Sequence, residues 1–313
     1  MRTFRIHSRA VIGFLLLSLV ILFLAAQTHA QSLPAAAPLS GVVNSAEGKP
    51  LEGVGVSARN ASESFTTTVY TNGAGHFFFP PIHPGAYKIW AQAVGFEMVS
   101  VEIRLTEAEK KQLELKLPAL ADFHAQLSGT EWAASLSEET PNDRRMKSVF
   151  INNCSGCHEV SFPLQNRFDT AGWKAVVTLM QTMQSIGYAP EGQKNDPVVL
   201  AYKQELAEYL ARVRGPGSPL IPKFLPRPTG EAAQIVVTEY DLPRPGQPDW
   251  VMKHNGTDWL EGTPSRYDGR AAHDVAIDQG GFVWFADDAT PDRTLGKLDP
   301  RTGKVTDYKL ADA

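Results

Sequence analysis

Short runs of alternating apolar and polar residues occupy residues 41 to 117. A period of two residues is typical of a strand with one face in a core. Glycine, proline and asparagine separate the runs, as in Asn72-Gly73 and Pro84-Gly85, and these residues favour turns. The pattern predicts seven strands, at residues 41–43, 53–58, 65–70, 76–79, 87–93, 99–105 and 112–117. Strands of this length and spacing predict a small β-sandwich.

A helical period replaces the alternation between residues 141 and 214. Apolar residues recur three and four positions apart, which places them on one face of a helix. The pattern predicts a helix over residues 142–153, a second that begins at Asp169 or Thr170 and continues through Met183, and a third that begins at Pro197 and stops before Gly215. Residues 141–214 are therefore expected to form an all-α domain.

A proline-rich spacer and a repeated segment follow the helices. Five prolines lie between residues 215 and 230, so residues 215–234 are expected to form an extended linker. The sequence Val-Thr-Glu-Tyr-Asp-Leu at 237–242 returns as Val-Thr-Asp-Tyr-Lys-Leu at 305–310, with two strand patterns in between. This repeat predicts one blade of a β-propeller in residues 235–313. Since a propeller typically needs four to eight blades, the sequence is expected to be part of a longer gene product.

The first 30 residues have the anatomy of a secretory signal peptide. Three arginines precede an apolar run at residues 11–26, and a short segment that ends at Ala30 is suited to cleavage. The run is shorter than the roughly 20 residues of a spanning helix. We therefore expect an exported, periplasmic protein, which stays anchored in the membrane if the signal peptide is not cleaved.

The charge balance narrows the range of partners. The formal net charge is −4, which gives no basic field for binding nucleic acid. The sequence shows no catalytic pair of carboxylates, no nucleophile with its base and no phosphate-binding loop. An electron-transfer or binding protein is thus expected rather than an enzyme.

The candidate chemistry is concentrated in Cys154-Ser155-Gly156-Cys157-His158, which contains the only two cysteines of the chain. Cys-x-x-Cys-His is a signature of c-type haem attachment. The thiols of Cys154 and Cys157 can bond to the two vinyl groups of one porphyrin, and the imidazole of His158 can bind its iron as proximal ligand. One covalent haem c is expected, and export fits its attachment in the periplasm.

Two other interpretations use the same cysteines. A structural zinc site needs four cysteine or histidine ligands, and the chain has no second cysteine pair. A disulfide is compatible with export, although a redox-active Cys-x-x-Cys needs a βαβ context that the helical flanks do not provide. The haem interpretation is therefore preferred.

The sixth position of the iron is expected to be filled by a methionine. Met180 and Met183 share a face of the second helix, and either could reach the iron. A methionine at helical spacing is also a common core residue, so the residues alone leave this choice open. Arg167 and Trp173 are expected to donate hydrogen bonds to the haem propionates.

Residues 39–118 resemble the carboxypeptidase regulatory-like domain, a prealbumin-like sandwich related to starch-binding-like folds. The resemblance rests on Gly41-Val42-Val43, Gly48-Lys49-Pro50 through Val54, Thr71-Asn72-Gly73 and Pro84-Gly85-Ala86-Tyr87. It implies a non-catalytic accessory module, which in some relatives is grouped with carbohydrate binders. Trp90 and Phe96 are candidates to stack on a sugar of a polysaccharide, although an aromatic residue that alternates along a strand usually belongs to the core.

The helical region resembles small c-type cytochrome domains that accompany periplasmic dehydrogenases, through residues 154–158, 173–180 and 205–210. This resemblance implies Met180 as the distal ligand, because a methionine follows the tryptophan by seven residues in that pattern. It also implies a redox partner protein, a dehydrogenase or an oxidase. Residues 273–278, 283–285 and 296–300 resemble the β-propeller of streptogramin lyases, whose catalytic residues cannot be carried over to this chain.

The sequence as a whole predicts an exported, multidomain mono-haem c-type cytochrome that functions in electron transfer. A β-sandwich precedes the cytochrome domain, and an incomplete propeller blade follows it. The alternative is an exported carbohydrate-binding or interaction protein without haem. A third interpretation is a fragment of a streptogramin lyase-like enzyme.

Overall fold

The computed structural model describes residues 39–107, 109–155, 160–182, 197–219, 221–242, 272–287 and 293–309. The expected signal peptide lies outside the described residues, as do Cys157, His158 and Met183. Within the described parts of the chain, no helix has the length and apolar character needed to cross a membrane.

Two β-sheets enclose the core of the N-terminal part of the chain. The smaller sheet has β1 (Leu39–Ser45) in the middle, antiparallel to β4 (His76–Phe78) and parallel to β7 (Lys111–Leu117). The larger sheet is antiparallel and contains, in spatial order, β6 (Val99–Leu105), β5 (Gly85–Gln92), β2 (Gly55–Asn60), β3 (Phe65–Tyr70) and β8 (Val237–Tyr240). The seven strands expected from the alternation are present, with bounds that differ by at most two residues.

Alternation along the central strands divides their side chains between the core and the outer face of the larger sheet. Val56 and Ala58 of β2 are buried in the core, as are Ile89 and Ala91 of β5. Trp90 lies on the opposite face of β5 and does not belong to this core. The expectation that its alternation places Trp90 in the core is therefore wrong, because its neighbours occupy the inward positions.

Five helices form a second core. They are α1 (Gly129–Ser135), α2 (Pro141–Cys154), α3 (Ser161–Leu164), α4 (Thr170–Thr182) and α5 (Pro197–Arg214). Thr140 and Asp143 form a capping box at the start of α2, and the Asp169 carboxylate accepts a hydrogen bond from the Gly172 amide at the start of α4. Such caps satisfy amide groups that the first turn leaves unpaired. α5 packs against both α2 and α4, so it lies at the centre of this region.

The C-terminal part contains a third, four-stranded antiparallel sheet. Its strands are β9 (Ala272–Ile277), β10 (Val283–Asp287), β11 (Leu295–Asp299) and β12 (Lys304–Tyr308), and each pairs with the next along the chain. A four-stranded meander has the strand content of one propeller blade. Residues 243–271, 288–292 and 310–313 of the expected blade region lie outside the described residues.

The first copy of the repeat departs from the expected blade. β8 pairs with β3 of the larger sandwich sheet, with Phe65 opposite Tyr240. The rings of these two residues are 5.4 Å apart, and Arg59 forms an ion pair with Asp241 at 2.5 Å. A strand edge offers unpaired amide and carbonyl groups, and here the edge of β3 provides the partner. Residues 235–313 are thus divided between two sheets.

Gly41→Ala is expected to destabilise the sandwich. A Cβ atom at this position would lie 2.1 Å from the carbonyl oxygen of Leu113 and 2.7 Å from the ring of Phe77. Overpacking of this kind costs about 1–3 kcal/mol, so the urea midpoint of the sandwich should fall. Gly217→Ala is the control, because no described residue other than its chain neighbours lies within 4 Å of its Cβ position. Equal midpoints for the two variants would contradict the packing described here.

Candidate functional site

The Cys-x-x-Cys-His segment begins at the end of the buried face of α2. Cys154 is the last residue of this helix, eight residues after the buried Met146 and four after the buried Phe150. Residues four apart share a helix face, and the partly buried Cys154 packs against the helical core. Cys157 and His158 lie outside the described residues, and α3 begins at Ser161. The motif is therefore flanked by two helices of the same core.

The apolar face of α4 is buried at its start and becomes exposed at Met180. Trp173 and Val177 are buried, whereas Met180 is 40% exposed. Seven residues make about two helical turns, so Met180 lies on the same face as Trp173. Val198 and Leu200, at the start of the neighbouring α5, are also exposed. This end of the two helices therefore leaves apolar side chains uncovered in the structure.

The two expected propionate donors have different surroundings. Arg167 is exposed, and its guanidinium donates to the carbonyl oxygen of Ser218 at 3.0 Å. Trp173 is 1% exposed and packs edge-on against Phe168 at 5.3 Å. Among the described residues, its indole N–H has no acceptor. The roles predicted for Arg167 and Trp173 stay predictions.

Arg214 is a buried arginine that sequence reasoning missed. It ends α5, is 2% exposed, and lies over the ring of Trp132 at 4.7 Å. Its Nε donates to the carbonyl oxygen of Leu164 at 2.5 Å and its Nη2 to that of Gln165 at 3.3 Å. Nη1 has no acceptor among the described residues. Burial, together with the smaller effect of the nearby charge of Arg167, lowers the pKa of Arg214 to about 10.

Other buried polar groups in the helical region also lack partners. Within the described part of the chain, the buried side-chain nitrogen and oxygen atoms without a hydrogen bond are Trp132 Nε1, Ser161 Oγ, Gln165 Nε2, Trp173 Nε1, Gln181 Nε2 and Arg214 Nη1. All six belong to residues 132–214, and five of them are nitrogen donors. A buried donor without an acceptor costs about 1–3 kcal/mol. The helical region therefore has a surplus of donors for which the described residues supply no acceptors.

A separate cleft of about 820 Å³ lies on the outer face of the larger sandwich sheet. Trp90, Ser57 and Thr68 stand side by side across β5, β2 and β3 on its floor. Ser57 and Thr68 share a hydrogen bond of 2.8 Å, and the Trp90 indole donates to Gln92 at 3.0 Å. These bonds fix the side chains of the floor before any ligand binds.

One wall of this cleft consists of residues 224–227 of the proline-rich segment. Leu225 donates its amide hydrogen to the Glu131 carboxylate of α1 at 2.9 Å, and Arg227 donates to the carbonyl oxygen of Val94 at 3.1 Å. Phe224 also lines the cleft. The expected linker thus contacts both the sandwich and the helices along these residues. Phe96, the other candidate for sugar stacking, packs against the sandwich core and below Arg227.

The sequence contained signals both for Arg214, which was missed, and for the outward position of Trp90, which was expected in the core. Arg214 follows Leu206 and Leu210 at intervals of four, so a charged residue occupies the apolar stripe of α5. The neighbours of Trp90 along β5, Ile89 and Ala91, are both apolar. The residues two positions away, Lys88 and Gln92, share the face of Trp90 and are polar. Both positions are therefore mismatched with their local pattern.

Comparison with known proteins identifies one part of the chain. Residues 38–118 match the family model of the carboxypeptidase regulatory-like domain. A search of curated proteins gave no match.

Several solved structures resemble part of the chain. The Bacillus anthracis TIE protein is 20% identical over 26% of this chain and 16% of its own, with a TM-score of 0.24. The dioxygenase domain of a dioxygenase carbohydrate-binding protein fusion from Streptomyces sp. SirexAA-E is 17% identical over 28% of this chain and 86% of its own, with a TM-score of 0.22. A putative carbohydrate binding protein from Pseudomonas aeruginosa is 14% identical over 25% of this chain and 86% of its own, with a TM-score of 0.20.

The domain is identified by the family match and not by these structures, whose TM-scores are low. The sandwich expected at residues 39–118 coincides with the matched range. The chain therefore contains a carboxypeptidase regulatory-like domain at residues 38–118.

Proposed function

We propose that this chain is an exported electron-transfer protein with one haem c bonded to Cys154 and Cys157. His158 would be the proximal ligand of the iron. The observation that carries the proposal is the Cys-x-x-Cys-His sequence at the end of the buried face of α2, in a region with a surplus of buried donors. The motif supplies both thiols and one iron ligand.

The helical region fits a haem in two further respects. A porphyrin is a large apolar group, and Met180, an exposed apolar residue on the face of α4 that contains Trp173, is a side chain that it would cover. Its propionates are anions that accept hydrogen bonds, which suits buried N–H groups without acceptors. Met180 is the preferred sixth ligand and Met183 the alternative, and Arg167 and Trp173 are candidate propionate donors.

Bound haem supplies a one-electron redox couple, and histidine–methionine ligation raises its potential relative to bis-histidine ligation. The chain's part is to bind the haem and to shield it from water. The acidic balance of the chain, −4, favours a redox partner with a basic surface. A periplasmic dehydrogenase is the partner that the sequence resemblance suggests.

Haem attachment is tested by exporting the chain from a host with c-haem maturation. After denaturation and extraction, an alkaline pyridine spectrum should show one haem per chain, since thioether bonds survive both steps. Cys154→Ala combined with Cys157→Ala should retain none. Ser155→Ala changes the motif without removing a thiol or the histidine, and should retain a full haem. A soluble, processed chain without haem would contradict the proposal.

Met180→Ala is expected to abolish the methionine–iron charge-transfer absorption of the oxidised, haem-loaded protein. The band requires a sulfur ligand to the iron. Met180 is the exposed residue on the face of α4 that contains the buried Trp173 and Val177. Met98→Ala is the control, because Met98 is an exposed residue of the sandwich. Loss of the band in Met183→Ala instead would assign the ligand to Met183 and contradict the assignment of Met180.

We propose saccharide binding as a second function, located in the cleft on the larger sandwich sheet. Sugars have apolar C–H faces and hydroxyl rims, so they suit an aromatic platform among fixed polar groups. Trp90 and Tyr70 line the cleft together with Ser57 and Thr68. Glu239 lines the same cleft, and the Tyr70 hydroxyl and the Glu239 carboxylate are groups that can bond to sugar hydroxyls.

Trp90→Ala should weaken binding to a soluble polysaccharide by more than about tenfold, since a central aromatic contact often contributes most to binding. Affinity electrophoresis across a panel of soluble polysaccharides measures this. Phe78→Ala, a change in the smaller sheet outside the cleft, should bind as the parent chain does. An unchanged affinity in Trp90→Ala, or no binding by the parent chain, would overturn this second proposal.

A further inference from the structure

We infer that the cleft on the larger sandwich sheet takes a saccharide that carries an apolar substituent. The sugar ring lies against the backbone of Gly55, and the substituent lies against Met98, Phe224 and Leu225, all of which line the cleft. This inference rests on the proposed saccharide binding and names the class of ligand for the same cleft. It is independent of the haem.

Gly55 is a strand residue whose lack of a side chain the fold does not require. A Cβ atom at this position would lie 3.7 Å from Thr68 and Tyr70 and 3.9 Å from the carbonyl oxygen of Gln92, which are ordinary van der Waals distances. Its φ is not positive. At Gly41, by contrast, the Cβ position is blocked at 2.1 Å. A strand glycine that neither packing nor φ demands is typical of a place where a ligand approaches the backbone closely.

Gly55 leaves a depression among the polar and aromatic side chains of the cleft floor. It pairs with Tyr70 of β3 on one side and with Gln92 of β5 on the other, so these two side chains flank it on the same face of the sheet. Ser57 and Trp90 lie in the next row, where they pair with each other. A sugar ring on Gly55 would therefore meet aromatic rings with its C–H face and polar side chains with its hydroxyl groups.

The cleft also contains apolar side chains that are open to water. Met98, Phe224 and Leu225 line it and are 52%, 54% and 50% exposed. The Phe224 ring packs against that of Phe123 at 5.6 Å, and the Leu225 amide is bonded to Glu131, so this wall is held in place. Clustered apolar surface of this kind marks a binding site. A sugar edged with hydroxyl groups would leave it in water, whereas an apolar substituent would cover it.

The volume of the cleft suits a ligand with two such parts. It is about 820 Å³, and sites for small ligands typically measure roughly 300–1,000 Å³. The polar floor and the apolar wall lie within this one space. An amphiphilic glycoside therefore makes favourable contacts with both.

Binding of matched glycosides to the full chain tests the inference. Methyl and octyl β-glycosides of glucose, galactose and mannose, kept below the micelle concentration, are titrated into the parent chain by calorimetry. For at least one sugar, the octyl glycoside should bind more than about tenfold more tightly than the methyl glycoside, because buried methylene groups add to the affinity. Octanol, which lacks the sugar, should bind more weakly than that octyl glycoside.

Two substitutions separate the sugar from its substituent. Gly55→Ala should weaken both glycosides by about tenfold, because the new methyl group occupies the place of the sugar. Gly217→Ala, outside the cleft, should bind as the parent does, and the two variants should have the same urea midpoint. Met98→Ser should weaken only the octyl glycoside. Val275→Ser, at an exposed apolar residue of the third sheet, is its control and should change neither affinity.

Contrary outcomes distinguish this inference from the function on which it rests. Equal affinities for the octyl and methyl glycosides, with polysaccharide binding that depends on Trp90, would overturn the inference and leave saccharide binding intact. Octanol that binds as tightly as the octyl glycoside would also overturn it. A urea midpoint that falls in Gly55→Ala as it does in Gly41→Ala would do the same, because the fold would then require the glycine. A parent chain that binds neither polysaccharide nor glycoside removes both proposals.

Discussion

The burial of one guanidinium group joins three helices of the helical region. Arg214 connects the end of α5 to the last residues of α3 by hydrogen bonds and to α1 through the ring of Trp132. α5 in turn packs against α2, which ends at Cys154, and against α4, which contains Met180. Two backbone carbonyl groups and an aromatic ring therefore hold α5 against α1 and α3.

The sequence predicted the elements well and their partners less well. Alternation and turn residues located the seven sandwich strands, because a half-buried strand leaves its period of two in the chain. The repeat at 237–242 and 305–310 correctly indicated two strands, yet β8 lies in the sandwich sheet and β12 in the third sheet. Strand propensity is local, whereas the choice of sheet depends on which edge is free and on contacts such as Arg59 with Asp241. Such contacts join residues distant in sequence and leave no periodic signal.

The candidate site divides in the same way. Cys154, Cys157 and His158 were recognisable because covalent attachment requires them next to each other in the sequence. Arg214 was not recognised, and Trp90, although a candidate for sugar stacking, was expected in the core. Each was judged by its residue type and not by the phase of its own strand or helix. In β5 the apolar phase is already filled by Ile89 and Ala91, which leaves Trp90 on the outer face. Arg214 lies on the same helix face as the buried Leu206 and Leu210. A charged residue at such a position indicates a charge that the fold buries.

The most direct test of the account is the mass of one peptide. Trypsin cleavage after Lys147 and Arg167 releases residues 148–167, which contain both cysteines and His158. Mass spectrometry of this peptide, from the chain exported with c-haem maturation, should show the added mass of one haem with both thiols consumed. A peptide with free thiols or with an internal disulfide would contradict the haem assignment and leave the chain an exported binding protein.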